Sequence, residues 1–162
     1  MSIYISLGTN IKDRIKNLDK AIMLIKSKNI IIISSSKTYE TSPMENLNQP
    51  LFLNKILMID TIIMPEDLLR ILKSIEKEMG RIKESERYLP RIIDIDLLTF
   101  KNFIINKPQL TLPHPKIKFR KFILKPWTDI DPLYILPKGN TTIKAHLEAL
   151  GNSKEIVKEY KQ

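Results

Sequence analysis

The order in which strand-like and helix-like runs alternate constrains this chain more than any other feature. Residues 3–8 (Ile-Tyr-Ile-Ser-Leu-Gly) read as a strand that stops at Gly8. Asn10 then offers a helix cap, and Ile11, Ile15, Leu18, Ile22 and Ile25 recur at spacings of three and four, the stripe of an amphipathic helix. Ile30 to Ile33 is a β-branched run suited to a strand covered on both faces, and it continues polar to Thr38. Residues 40–53 carry two prolines and several turn formers, which predicts a long loop of the kind that is usually functional or disordered. Asn54 to Ile63 reads as a third strand. Pro65 opens a second helix with Glu66 and Asp67 in its first turn, where acidic groups favour the dipole. Leu68, Leu72, Ile75 and Met79 share one face of it, and Gly80 ends it. A charged segment, 81–90, leads into a fourth strand over 91–99.

This β-α-β-β-α-β order predicts the α+β class, a ferredoxin-like antiparallel sheet with helices packed on it. The remainder, 100–162, holds short strand-like pieces and a helix near 142–150, read as a C-terminal extension of the same domain. A chain of 162 residues fits one domain, 1–162, with room for a real core. No apolar run approaches the roughly 20 residues that span a bilayer. The first residues, Met-Ser-Ile-Tyr-Ile-Ser, lack the basic and apolar regions of a signal peptide. The absence of cysteine excludes disulfides, thiolate metal sites and a cysteine nucleophile. The expectation is a cytoplasmic protein with no membrane partner. A formal net charge of +9 draws anions such as nucleic acid, nucleotides or phosphorylated metabolites, but it equally describes a solvated lysine-rich surface.

Asp94 and Asp96 sit two apart on the fourth strand, so both side chains leave the same face. Ile92, Ile93, Ile95, Leu97 and Leu98 surround them, and charges inside an apolar strand are costly unless paired or metal-bound. Two hard carboxylates suit Mg²⁺, which takes one or two such ligands along with waters and phosphate oxygens. Upstream, Arg81, Lys83, Arg87 and Arg91 bring guanidinium and ammonium groups beside the pair, the mixture that a triphosphate with metal requires. His114 stands between Pro113 and Pro115 in a rigid turn, from which it can donate to a phosphate, pack on a base, or only shape the turn. Arg120 and Phe122 follow as a phosphate contact and an aromatic lid, whereas His146 reads as structural or surface. No G-x-x-x-x-G-K-[ST], no G-x-G-x-x-G, no zinc-type histidine pair and no Ser-His-Asp set is present, so side-chain cations and metal would have to hold any ATP phosphates.

Leu7-Gly-Thr-Asn10, Tyr39-Glu-Thr-Ser-Pro43, Gln49-Pro-Leu-Phe-Leu-Asn54, Glu76 with Gly80-Arg81, Arg87-Tyr-Leu-Pro-Arg-Ile-Ile-Asp-Ile-Asp-Leu97, Leu112-Pro-His-Pro115 and Arg120-Lys-Phe122 follow one another in a familiar order. Through them the chain resembles the 6-hydroxymethyl-7,8-dihydropterin pyrophosphokinases of folate synthesis. The resemblance implies a monomer that transfers pyrophosphate from ATP to the pterin hydroxymethyl group and releases AMP. It implies two Mg²⁺ ions on Asp94 and Asp96, with Arg81 and Arg91 acting on the transferring phosphates. It implies an ATP site formed by Glu76, Arg81, Lys83, Arg87, Tyr88, Arg91, Thr111, His114 and Arg120. The pterin would stack between Phe52 and Phe122, close to Asp94, with Asn54 and the backbone at Thr41, Ser42 and Met44 reading its edge. The chain departs from the family pattern at Tyr88-Leu89, where Trp-Gly is usual, at Lys83, where arginine is frequent, and at Lys121, where a small residue is usual.

Two other readings compete. An RNA-binding module uses the same superfold, but it calls for exposed aromatics on the central strands, where this chain places aspartates. A non-catalytic homologue would have had no reason to keep both aspartates together with Arg81 and Arg91.

Overall fold

The computed structural model describes residues 2–44, 46–81 and 90–161. Its elements are β1 (Ile3–Thr9), α1 (Arg14–Ser27), β2 (Ile31–Ser35), β3 (Tyr39–Thr41), β4 (Phe52–Asp60), α2 (Pro65–Glu78), β5 (Asp94–Phe100), β6 (Ile105–Lys107), β7 (Leu110–Leu112), α3 (Lys121–Trp127), α4 (Ile143–Ala149) and β8 (Val157–Glu159), with a 3-10 turn at Ile117–Phe119. The fold is α+β. A six-stranded sheet runs β5-β1-β4-β3-β8, with β2 paired to the other half of β4. Every named pairing in it is antiparallel. Strands β6 and β7 form a separate hairpin-like pair.

Period-two alternation divides the sheet into two faces. Ile3, Ile5 and Leu7 of β1, Leu53, Leu57 and Ile59 of β4, and Ile95 and Leu97 of β5 join Leu18, Ala21 and Ile25 of α1 and Leu68, Leu72 and Ile75 of α2 in the larger core. On the opposite face Tyr4, Ile56 and Leu98 pack against Ile117, Ile123, Leu124, Trp127, Leu136 and Ile143 from the C-terminal third. That second layer covers only one end of its face. Two residues further along each strand the same face carries Ser6 and Gly8 on β1, Asn54 and Phe52 on β4, and Asp96 and Asp94 on β5. Cross-strand register aligns them, Gly8 lying opposite both Asn54 and Asp94, and Ser6 opposite Asp96.

Several sequence expectations are corrected. Asn10 does not cap α1: the cap is Asp13, whose Oδ1 accepts from the Lys16 amide at 3.1 Å, and Ile11 precedes the helix. The β-branched run at 30–33 is not covered on both faces. It forms the edge strand β2, leaving Ile31 and Ile33 more than half exposed (60% and 54%), because β3 and β8 lie along the other half of β4. The loop expected over 40–53 is shorter, since Tyr39–Thr41 and Phe52–Leu53 belong to strands. Strand β4 therefore begins at Phe52 and stops at Asp60, not at Ile63, and β5 begins at Asp94, not at 91. Helix α2 matches its reading: Pro65 stands at its start, and Gly80 at φ 95° terminates it with Arg81 N bonded to Glu76 O and Gly80 N to Lys77 O. Phe122, expected as an aromatic lid, lies on α3, a helix that the sequence reading did not anticipate.

Candidate active site

Helix α2 and the turn that ends it deliver three residues, Lys73, Glu76 and Arg81, to the open end of the sheet. Glu76 is buried, 4% exposed, and its carboxylate is held by three groups. Its Oε1 accepts from the Ile95 amide at 2.6 Å and from Lys73 Nζ at 2.8 Å, while Oε2 pairs with Arg81 Nη1 at 2.7 Å. Lys73, one helical turn before Glu76, also donates to the Ile95 carbonyl at 2.9 Å. Its ammonium lies 3.7 Å from Asp96 Oδ1 and 4.0 Å from Asp94 Oδ1. The Schellman turn at Gly80 swings Arg81 back over the strand, so that its Nη1 donates to Asp94 Oδ1 at 2.5 Å. Arg91, just ahead of β5, donates from Nη1 to Asp94 Oδ2 at 2.8 Å.

Three cations thus converge on Asp94 and set its protonation. Burial pushes its carboxyl up, but Lys73, Arg81 and Arg91 outweigh that and hold it down at about 2. Burial acts downward on Lys73 and Arg81 too, and the surrounding carboxylates reverse it, keeping both firmly cationic. Glu76 moves the other way: its burial, aided by Asp94, raises it against the pull of Lys73. His114, after the cis Leu112–Pro113 bond, has its amide bonded to the Leu98 carbonyl at 2.8 Å. Its Nδ1 accepts from the Lys116 amide at 3.2 Å, and burial followed by Arg120 and Lys116 depresses its pKa against the opposing charge of Asp96.

Beside the aspartates opens a cavity of about 120 Å³. The residues expected to hold a planar substrate, Thr41, Ser42, Met44, Phe52, Asn54, Asp94 and Phe122, all line it, together with Asp96, Arg91 and Arg120. Asn54 Nδ2 donates to Thr41 Oγ1 at 2.6 Å, which fixes the amide in the floor. Gly8 lets that amide lie flat against β1, since a Cβ there would stand 2.8 Å from Asn54 Oδ1. The Arg120 guanidinium lies 5.4 Å from the centre of the Phe122 ring. Glu76, Arg81, Thr111 and His114 are not part of this wall. Thr111 is exposed on β7, and Lys83, Arg87 and Tyr88 lie outside the described residues.

Sequence reasoning missed Ser6, Gly8, Gln49 and Lys73. Signals pointed to three of them: Ser6 and Gly8 interrupt one face of an otherwise apolar strand, and Lys73 stands three residues before Glu76 on the same helix face. Asn10 has a role other than the one expected. Its Oδ1 accepts from Arg91 N at 2.8 Å, and its Nδ2 donates to Gln49 Oε1 at 3.0 Å and to Pro50 O at 3.1 Å. One buried amide therefore joins the 42–51 loop to the arginine segment.

The site thus sets clustered carboxylates and cations beside a cavity walled by two phenylalanines and an amide. The chain is a member of the 7,8-dihydro-6-hydroxymethylpterin-pyrophosphokinase (HPPK) family, whose pattern it matches over residues 4–132. It is similar to the 2-amino-4-hydroxy-6-hydroxymethyldihydropteridine pyrophosphokinases of Methylorubrum extorquens, 35% identical over 93% of this chain and 94% of that protein, and of Aquifex aeolicus, 38% identical over 84% of each. It is also 38% identical over 92% of its length to the folic acid synthesis protein fol1 of Pneumocystis carinii, of which it spans only 20%. In fold it is similar to the crystal structure of wild-type Plasmodium falciparum HPPK-DHPS, with a TM-score of 0.73 at 19% identity over 91% of this chain and 44% of that one.

Proposed function

We propose that this chain transfers a pyrophosphoryl group from ATP to the hydroxymethyl group of 6-hydroxymethyl-7,8-dihydropterin, a step of folate synthesis, with release of AMP. The observation that carries the reading is the meeting, on one open sheet face, of the Asp94–Asp96 pair and its cations with a cavity walled by Phe52, Phe122, Asn54 and Thr41. In the reaction the substrate hydroxyl oxygen bonds to the β-phosphorus. The bond from that phosphorus to the oxygen bridging the α-phosphorus breaks, AMP departs with the bridging oxygen, and the hydroxyl proton passes to water.

Phe52 and Phe122 would stack on the pterin, while Asn54, Thr41 and the backbone at Ser42 and Met44 would match its donor and acceptor edge. Arg81 and Arg91, which neutralise Asp94 here, carry the forked donors suited to phosphate oxygens and would turn to them when the nucleotide arrives. Arg120, His114 and Thr111 would complete the nucleotide site with Lys83, Arg87 and Tyr88, and Glu76 would act by holding Lys73 and Arg81 in place. Among the described residues no group of three or more His, Asp or Glu side chains forms a metal cage. An open pair of hard carboxylates, completed by phosphate oxygens and water, is nevertheless the donor set that fits Mg²⁺. Asp94 and Asp96 would hold two such ions, and when bound they supply charge neutralisation along the triphosphate.

The strand order β5-β1-β4, with β2 and β3 beside β4 and both α1 and α2 on one face, supports the ferredoxin-like reading. Pairing of β8 with β3 supports treating 100–162 as an extension within one domain, 1–162. A cytoplasmic monomer without membrane or nucleic-acid partners belongs to the same reading. Among the described residues no helix is long and apolar enough to cross a membrane. The RNA-binding alternative is not favoured, because carboxylates occupy the open face where RNA phosphates would approach.

The test is nucleotide release from ATP with Mg²⁺ and the hydroxymethyl pterin. Wild type should give pterin-dependent AMP, and Asp96→Ala should lose at least a hundredfold in rate. Formation of ADP instead of AMP, or full activity in Asp96→Ala, would overturn the proposal.

A further inference from the structure

The last strand approaches the cavity from behind its walls, and two consecutive residues ahead of it are bonded to both sides. Glu155 Oε1 accepts from the Phe122 amide at 2.7 Å, and its Oε2 accepts from the Lys121 amide at 3.0 Å. These are first-turn amides of α3, whose own cap position, Arg120, makes no side-chain capping bond. Without Glu155 they would have no partner from within the helix. A carboxylate at that end also suits the helix dipole. The next residue, Ile156, donates its amide to Ser42 Oγ at 3.0 Å and accepts from Ser42 N at 3.0 Å. Strand β8 continues this attachment by pairing Val157 with Thr41.

Phe122 and Ser42 both face the cavity, on elements that are 80 residues apart in sequence. We propose that Glu155 is a positioning residue which, with Ile156 beside it, sets the separation between the aromatic wall and the 41–44 wall and thereby tunes affinity for the planar substrate. The proposal rests on the pterin reading of this cavity. Glu155 touches no substrate atom in this scheme; it acts through the backbone that carries Phe122.

Steady-state AMP release and amide hydrogen exchange test it together. Glu155→Ala should raise KM for the pterin about tenfold while kcat and KM for ATP change less than twofold. Glu155→Gln, which keeps one acceptor oxygen, should lie between it and wild type. Thr142→Ala serves as the control for general destabilisation, since it removes a comparable cap, Thr142 Oγ1 to Ala145 N at 3.1 Å, from α4. It should lower the melting temperature without moving the pterin KM. In Glu155→Ala the amides of Phe122 and Ser42 should exchange faster together. An unchanged pterin KM, or an equal rise in Thr142→Ala, overturns the proposal. If wild type itself releases no pterin-dependent AMP, the functional reading fails instead, and the tie is judged by exchange alone: an unchanged Ser42 amide refutes it.

Discussion

Asp94 shows at the scale of one residue how this site stores charge. Three cations hold its carboxyl below the ordinary 3.8, down at about 2, although burial acts in the opposite direction. A carboxyl depressed in the folded state contributes stability that is complete above the unfolded value and is lost as pH falls through the folded one. The relevant window is therefore about pH 4 down to pH 2. Across it the melting temperature of wild type should fall more steeply than that of Asp94→Asn, and parallel curves would show that the three cations do not act on Asp94 as described. Glu76, raised by burial, works with the opposite sign and blunts the effect but cannot mimic it. The aspartate pair was legible in the sequence because two charges break a run of isoleucine and leucine. Lys73 was not, because one lysine on a helix with several others looks solvated until the fold places it under β5.

At the scale of elements, the long amphipathic pieces were legible, as were the strands β1 and β5 and the short helix α4, whereas β3, β8 and α3 were not. Helix α2 repeats its apolar spacing over three turns and carries its own start and stop in Pro65 and Gly80. By contrast β3, β8 and α3 are too short to establish a period, and β8 reads Val-Lys-Glu, a charged sequence made a strand only by its partner β3. Strand β1 illustrates what a period can hide: its polar face reads as a strand end, yet it is the floor of the cavity. Substituting Gly8→Ala tests that floor. The new Cβ would stand 2.8 Å from Asn54 Oδ1, inside normal contact, so the amide must tilt away from Thr41. Pterin KM should rise at least tenfold, with a stability change of only about 1 kcal/mol because the displaced group is a side-chain end. Wild-type affinity in Gly8→Ala would show that Asn54 does not read the substrate.

For the whole molecule, the sheet is a partition between two unequal cores. The larger one under α1 and α2 was legible from helix stripes and β-branched runs. The smaller one, centred on Trp127, was hidden because its members are spread from Tyr4 to Ile143 and no local pattern joins them. Trp127 is fully buried, with its ring centroid 4.5 Å from that of Tyr4 and 5.4 Å from that of Tyr134. Truncation to Ala should cost about 3–5 kcal/mol, read from urea unfolding, and should loosen the C-terminal third before the rest. A loss below about 1 kcal/mol would mean that this layer contributes little to holding the sheet. The way β1, β4 and β5 change character along a single face has a consequence for variation. Anchoring residues and cavity-facing residues are two positions apart on the same strands, about 7 Å along the backbone. Exchanges at Phe52, Asn54 or Ser6 therefore change the shape and polarity of the cavity while Ile56, Tyr4 and the Trp127 layer hold the scaffold. A lineage, or an engineer, can reshape this cavity without renegotiating the fold.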